Sequence, residues 1–474
     1  MAEHRPLWTS AEIEAATGGR LEGPAFAAHG VSFDSRAIEP GDLFVALAGV
    51  RDGHEFIEGA LKSGAVGVLA SQPGPGPRIL VRDTLQGLEA LGVAARDRAA
   101  DCRRGAVTGS VGKTSLTQAI KLGLHMAGPS HGSVKSYNNH IGVPLTLARM
   151  PADTRRAVFE IGMNHAEEIR PLSRMVRPHA AVISTVGPVH TENFEDGELG
   201  VAKAKAEIFD GLIPGGAAIL NADDRWFDLL KGEATRAGAQ IVTFGSGPGC
   251  EARLTGFSAE GGGAVIEAVL HGKALRFPIR QTGLHWGLNS LAVLLMLEAL
   301  GVSLDLGLEA MAAFEPLAGR GAERSIAAAG GPFVLIDESY NANPISLKAA
   351  LNTLGHRAAE GRKIAVLTDM LELGPEGPRY HAEGAQMAEE AGVDLVFCAG
   401  PLMKFLWDAL PPTRRGGYAE MAAELAPQVV QAVGPGDVVM VKGSNGSKAS
   451  AVAAALAALD VHRAPGTAAL GAPG

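Results

Sequence analysis

Cysteine is scarce in this chain, with three residues in 474, at Cys102, Cys250 and Cys398. An odd number so widely spaced supports neither a disulfide framework nor a zinc site, and fits reduced thiols in a reducing compartment. No run of about 20 uninterrupted apolar residues is present, so no membrane insertion is expected. Glu3, His4, Arg5 and Pro6 come before any apolar stretch and leave no secretory-signal core, which makes the cytoplasm the expected location. Positive charge is also in short supply: 42 Lys and Arg stand against 51 Asp and Glu, for a net charge of −9. Nucleic-acid binding is therefore not expected, and any anionic ligand must be met by locally placed donors.

What the chain does have is the composition of a globular protein, 46% hydrophobic and 20% charged. Its 62 glycines and 27 prolines are too few for disorder and suit turns and ligand loops. The length suggests about three domains, and the pattern divides into residues 1–101, 102–316 and 317–474. The first segment shows strand-like runs at Leu43 to Leu47, Val66 to Ala70 and Ile79 to Val81, with two short helical patterns and a break at Gln72-Pro73-Gly74-Pro75-Gly76-Pro77. In the second, strands at Ala157 to Ile161, Ala180 to Val186 and Ala217 to Asn221 alternate with helices at Lys113 to Met126 and near 200–210, which predicts a parallel sheet covered by helices. The third repeats the alternation at Phe333 to Ile336, Lys363 to Leu367, Leu395 to Cys398 and Val438 to Val441. The expected fold class is α/β in three domains: a small N-terminal α/β domain, a central P-loop parallel-sheet domain and a C-terminal Rossmann-like domain. The tail 462–474 is mostly Ala, Gly and Pro and is expected to fray.

The most informative run is Thr108-Gly109-Ser110-Val111-Gly112-Lys113-Thr114, placed between a short apolar strand and a helix. Glycines let backbone N–H groups converge on phosphate oxygens, the helix N-terminus adds partial positive charge, Lys113 neutralises β- and γ-oxygens, and the Thr114 hydroxyl suits magnesium. The full GxxxxGK[ST] pattern would need glycine where Val107 stands, so this is the shortened form of the loop. Gly109, Ser110, Val111, Gly112, Lys113, Thr114 and Ser115 are the candidate nucleotide-binding residues.

Three further placements are not what packing alone would choose. On a helix near 200–210, Val201, Lys205, Ile208 and Leu212 project to one stripe, with Lys203, Glu207 and Asp210 opposite. Lys205 is thus an inward-facing lysine, to be explained by snorkelling, pairing or chemical alteration. Lys203 and Glu207 make an ordinary exposed i,i+4 pair. Glu160 is the one charge near the end of the strand Ala157 to Ile161, placed either to coordinate nucleotide-bound Mg²⁺ or to cap the next helix. His190, after the next strand, is a second metal or phosphate candidate at the same edge. In the third segment the strand ends carry Asp337, Glu338, Asn341 and Asn343, then Asp369 and Glu372, then Lys442, Gly443 and Ser444, a convergence that marks a crevice.

These residues carry a resemblance to the Mur ligases and, within them, to the MurF type, over roughly residues 30–450. The markers are Asp34-Ser35-Arg36 with Phe44-Val45-Ala46-Leu47 and Asp52-Gly53-His54, the phosphate loop, Tyr137-Asn138-Asn139-His140-Ile141-Gly142-Val143-Pro144, Glu160-Ile161-Gly162-Met163-Asn164-His165, Ala204-Lys205-Ala206-Glu207-Ile208-Phe209 and Ser339-Tyr340-Asn341-Ala342-Asn343-Pro344. The last motif belongs to the MurF branch, and the Asp-Asn-Pro-Arg motif expected of the MurE branch is absent. The chain departs from the common pattern at His140, Trp286, Glu338 and Asn445.

The resemblance implies an ATP-dependent carbon–nitrogen ligase that adds D-alanyl-D-alanine to UDP-N-acetylmuramoyl-tripeptide through an acyl phosphate, acting as a monomer. It implies a UDP-sugar domain (1–101), an ATP domain (102–316) and a C-terminal domain (317–474). It gives Lys113, Lys205, His190 and Glu160 as catalytic, and Thr114, Glu160, His190 and Lys205, carbamylated by CO₂, as magnesium ligands. Asn289 would contact adenine and Arg320 would join the nucleotide to the third domain. Ser35, Arg36, Asn138, Asn139, Glu338, Tyr340, Asn341 and Asn343 would bind substrates. Rival readings are a MurE-type ligase, a folylpolyglutamate synthetase and, more remotely, a P-loop ATPase or nucleotide-switched binding protein, to which Phe333 to Glu338 would contribute a Walker B-like strand.

Overall fold

The computed structural model describes residues 5–49, 51–134, 136–260 and 262–461. The tail 462–474, expected to fray, lies outside the described residues. The chain packs as two compact units: one comprises the chain up to Val186 with Ala202–Arg253 and Asn289–Met311, the other Gly187–Val201, Leu254–Leu288 and the chain from Ala312 onward.

In the first unit the central parallel sheet runs, in spatial order, Gln240–Gly245, Ala217–Asn221, Ala180–Ile183, Arg103–Thr108, Arg156–Glu160, Ser130–Gly132. Arg103–Thr108 comes first in the chain yet lies inside the sheet. The chain builds the strands on one side of it and then crosses to build those on the other. Its carboxyl end is therefore the point where strand order reverses, and splayed crossovers leave a crevice there. The helix Lys113–Met126 starts at that point, burying Leu116, Ile120 and Leu124 at the four-residue spacing of one helix face. The strand expected to reach Val186 stops at Ile183. Beyond it, the Thr185 hydroxyl and the Val186 N–H both donate to Asp224 Oδ2, at 2.9 and 2.7 Å, so a side chain replaces the ladder.

The first segment forms a five-stranded sheet in the order Arg20–Glu22, Arg78–Leu80, Gly67–Ala70, Asp42–Val45, Gly30–Ser32, antiparallel only at the first pair. The proline-glycine break is clasped by the buried Arg78, which donates to Gln72 O and Pro75 O. Two short helices, Ser10–Thr17 and Ile57–Lys62, accompany a longer one, Thr84–Arg98. This segment does not close its core alone. Leu145 and Ala148, from the helix Gly142–Ala148, are buried in one cluster with Trp8, Ile13, Leu88, Leu91 and Ala95. Trp8 Nε1 donates to Ala148 O at 2.8 Å. Arg98 lies 3.8 Å over the Trp8 ring and donates to Met150 O at 2.9 Å.

The second unit holds a six-stranded sheet in the order Ala322–Ala328, Gly331–Glu338, Val438–Lys442, Lys363–Thr368, Leu395–Ala399, Arg415–Ala419, parallel except at its first pair. Alternate strand residues face opposite layers. Ala365, Leu367, Val396 and Cys398 pack with the helices Pro344–His356, Gly377–Glu390 and Met403–Ala409. Ile364, Val366, Phe397 and Val439 pack with Ala422–Ala432 and Ala449–Ala457. This is the doubly wound arrangement expected of the third segment. The antiparallel hairpin of Gly263–Leu270 and Lys273–Ile279, not anticipated from sequence, adds to this unit. All three cysteines are free, and burial pushes the Cys102 thiol up to about 11.

The shared core depends on Gly92, where a Cβ would sit 3.1 Å from Pro144 O and 3.2 Å from Leu147 Cβ. Gly92→Val should wedge these helices apart and cost roughly 1–3 kcal/mol in urea unfolding. An unchanged midpoint would show that the two helices are not packed at this depth.

Candidate active site

The phosphate loop is shaped by backbone conformations that only glycine adopts freely. Gly109 has φ 146° and Gly112, at the helix N-cap, has φ 86°. A Cβ on Gly109 would lie 1.9 Å from Ser184 Oγ, so the loop cannot hold a larger residue there without displacing that serine. Ser184 donates to Val111 O, and Ser110 N–H donates to Thr185 O at 2.8 Å, tying the loop to the neighbouring strand end. Lys113 Nζ folds back to Gly109 O at 2.7 Å. The Thr114 hydroxyl is 3.3 Å from Ser136 Oγ. Asn289 lies beside the loop, its Nδ2 3.6 Å from where a Gly112 Cβ would be.

Glu160 is buried at 1% exposure. Asn138 Nδ2 donates to its Oε1 at 2.7 Å, while Oε2 has no hydrogen-bond partner among the described residues. Its own N–H is held by Ser133 Oγ at 3.0 Å. A buried carboxylate oxygen left unmatched is costly unless a cation or donor completes it. The capping alternative fails, because the next helix, Ile169–Val176, has its N-cap at Glu168. Among the described residues no cluster of three His, Cys, Asp or Glu side chains stands ready for a metal. The unmatched Glu160 oxygen suits a hard cation such as Mg²⁺, which commonly takes one or two protein oxygens and completes its shell with phosphate and water.

Lys205 is buried as projected, at 2% exposure. Burial first, and the nearby Lys113 charge second, hold its pKa well below 10.5, and among the described residues no carboxylate acts against them. The expected exposed Lys203–Glu207 pair is corrected by the burial of Glu207. The α-helix ends at Ala206 and a tighter 3-10 turn runs Glu207–Gly211, so the 100° projection no longer applies. Lys203 is exposed, but Glu207 is buried and accepts from the backbone N–H groups of Glu167 and Arg170 at 2.8 and 3.1 Å.

Several residues matched by motif are committed to local structure. Asn139 Oδ1 accepts from Gly142 N–H at 2.9 Å at the start of the next helix. Arg36 forks onto Asp34 at 2.9 and 2.8 Å beside the half-buried Ser35. In the second unit Asn343 caps the helix Pro344–His356 in a capping box with Ser346. Arg320 stacks 3.9 Å over the Tyr340 ring. Lys442 Nζ donates to Asn341 O at 3.0 Å and Glu338 Oε2 at 3.4 Å, and Ser444 Oγ accepts from Leu371 N–H, so the strand-end groups of this unit do converge. His190 belongs to this unit, with its Nδ1 2.9 Å from Glu372 Oε2; that contact holds the Glu372 carboxyl below its ordinary range. Trp286 is buried against Phe314, with ring centroids 5.6 Å apart, and Asn445 opens a 3-10 turn.

Sequence reasoning missed Ser133, Ser136, Ser184 and Asp224. Lone serines carry no periodic signal, whereas Asp224, in Asn221-Ala222-Asp223-Asp224 directly after a strand, could have been flagged by the strand-end rule applied to Glu160.

Because Lys205 has a lower pKa folded than unfolded, the unfolded chain binds more protons between those values, and stability rises with pH across that window. In CO₂-free buffer, Lys205→Met should be more stable than the unsubstituted chain at pH 7 by on the order of 1–3 kcal/mol. The advantage should shrink as pH approaches 10.5. A pH-independent difference in urea unfolding would contradict this.

Among the described residues no helix is long and apolar enough to cross a membrane. Three family models match in succession: "Mur ligase family, catalytic domain" over residues 27–98, "Mur ligase middle domain" over 107–297 and "Mur ligase, glutamate ligase domain" over 324–445. The UDP-N-acetylmuramoyl-tripeptide–D-alanyl-D-alanine ligase of Rickettsia prowazekii (strain Madrid E) is 30% identical, covering 93% of this chain and 98% of the relative. The ligase of the same name from Bacillus subtilis (strain 168) is 33% identical, covering 89% and 91%. The crystal structure of MurF from Acinetobacter baumannii superposes with a TM-score of 0.84 at 27% identity, covering 95% of this chain and 99% of that one. Likeness along nearly the whole length, through all three matched regions, establishes that the chain belongs to the Mur ligase family, in its MurF branch.

Proposed function

We infer that this chain is an ATP-dependent ligase that joins D-alanyl-D-alanine to UDP-N-acetylmuramoyl-tripeptide in cytoplasmic peptidoglycan precursor synthesis. Kinship supplies the substrates. The observation that carries the chemistry is Lys205, a buried amine in the field of the phosphate-loop Lys113, with no counter-charge among the described residues. A carboxylate is a poor electrophile, so a carboxylate oxygen of the tripeptide attacks the γ-phosphorus, ADP leaves, and an acyl phosphate forms. The dipeptide amine then attacks the acyl carbon, loses a proton, and expels phosphate.

Lys113 and the loop N–H groups offset the repulsion between the attacking carboxylate and the triphosphate. Magnesium, when bound, would neutralise further phosphate charge, and Thr114, Glu160 and Lys205 as a carbamate would hold it. The partnerless Glu160 Oε2 supports that role. For Lys205, a lowered pKa favours the neutral amine, the form nucleophilic towards CO₂; addition with loss of one proton leaves an anionic carbamate. His190, which the family resemblance gave as a further ligand, is engaged within its own unit, its ring bonded through Nδ1 to Glu372. We assign residues 1–101 to the UDP-sugar, with Ser35 and Arg36, and 102–316 to ATP, with Asn289 at the adenine. We assign 317–474 to the incoming amine, with Glu338, Tyr340 and Asn341 as substrate residues and Arg320 assigned to the nucleotide.

ADP release measured with D-alanyl-D-alanine, lysine, diaminopimelate and glutamate as amines should require both UDP-N-acetylmuramoyl-tripeptide and D-alanyl-D-alanine. Release without an amine or a carboxylate substrate would indicate a simple ATPase, and release with another amine would indicate a different ligase. Lys205→Ala should lose turnover by about 100-fold or more, with partial recovery on adding small carboxylic acids in bicarbonate-free buffer. Full activity in that variant would remove the carbamate from the mechanism.

A further inference from the structure

We propose that Glu207 is a positioning residue that holds Lys205 in the phosphate site; this rests on the function inferred above. Glu207 lies two residues after Lys205, at the change from α-helix to 3-10 turn. Its carboxylate is buried, and its two oxygens accept separately from Glu167 N–H at 2.8 Å and Arg170 N–H at 3.1 Å. The helix Ile169–Val176 has no side-chain cap from its own N-cap residue, so Glu207 supplies that cap from another element. Glu167, at φ 66°, holds a left-handed conformation unusual for its type, which turns its N–H towards this carboxylate.

The chain leading to Glu167 starts at Glu160. Just past Glu160 it is pinned by Ile161 N–H to Val107 O at 2.9 Å and by Gly162 N–H to Asn138 O at 2.8 Å. Glu207 therefore ties the helix end that carries Lys205 to the segment that leaves Glu160. Downstream, the Ser173 hydroxyl donates to Ile208 O, Arg170 pairs with Asp210, and Gly211 packs so close to Ser173 that a Cβ would lie 2.2 Å from its carbonyl oxygen. Of these anchors Glu207 is the nearest to Lys205 in the chain. Its role is mechanical. The influences on Lys205 are burial and Lys113, with no contribution from Glu207.

The test compares Glu207→Ala, Glu207→Gln and Glu207→Asp in the full chain, by steady-state ADP release, amide hydrogen exchange and the ¹³C resonance of lysine carbamate formed from labelled bicarbonate. Glu207→Ala should lower kcat by roughly 10- to 100-fold, as expected for loss of about an ångström of alignment, with the ATP KM changed by less than about threefold. Exchange at Glu167 and Arg170 should quicken and the carbamate signal should weaken. Glu207→Gln keeps the length but sets its amide NH₂ against one of the two N–H donors, and Glu207→Asp keeps both oxygens but is one methylene short, so each should lose part of the turnover, less than Glu207→Ala. Should Glu207→Ala fail to fold, the Gln and Asp variants decide, and unsubstituted turnover in both overturns the proposal. So does an unchanged kcat in Glu207→Ala, or a loss confined to KM. An unsubstituted chain that releases no ADP with both substrates would instead refute the functional reading.

Discussion

An amine sealed from water, with no opposing charge among the described residues, is the constraint on which the site depends. Desolvating an ammonium costs several kcal/mol after relaxation, and Lys113 adds repulsion of the same sign at Lys205. The low-energy answers are neutrality or conversion to an anion, and either turns an expensive side chain into one suited to gather a cation beside phosphates. The same unit keeps one Glu160 oxygen unmatched. That unmatched oxygen indicates a site completed by its ligands rather than by its own fold.

Such a site needs a stiff frame, and the frame is built from backbone. The first strand of the central sheet lies inside it, so the loop that leaves its carboxyl end opens at the reversal of strand order. Ser184 and Asp224 then take over hydrogen bonding where the neighbouring ladder stops, fixing the rim at the level of the loop. Glu207 does similar work on the other side, spending its carboxylate on backbone N–H groups. Anionic side chains that might have served as counter-ions are instead used to terminate helices and strands.

The second unit follows the same economy. Asn343 caps a helix, and Lys442 spans Glu338 and the Asn341 carbonyl. His381 donates from Nδ1 to Gly377 O and accepts Met370 N–H at Nε2, which fixes one neutral tautomer, in keeping with the downward shift that burial imposes on its pKa. Residues that look catalytic in a motif can therefore be structural in part, and the polar crest of this sheet is hydrogen-bonded to its own backbone and side chains.

The phosphate loop, the inward lysine, the buried glutamate and the alternation of strands and helices were legible from residue order, because each is a local pattern: a run of glycines, a helical stripe, a charge within an apolar strand. Periodicity also anticipated the doubly wound third segment. It did not anticipate the buried Glu207, because a helix projection fails where the helix tightens to a 3-10 turn. Nor could it see His190 paired with Glu372, Asn139 committed to a helix start, or Leu145 and Ala148 completing the core around Trp8. Those outcomes belong to tertiary structure alone, since the partner of a buried polar group is set by which distant backbone donors arrive beside it, and nothing in its neighbours along the chain encodes that arrival.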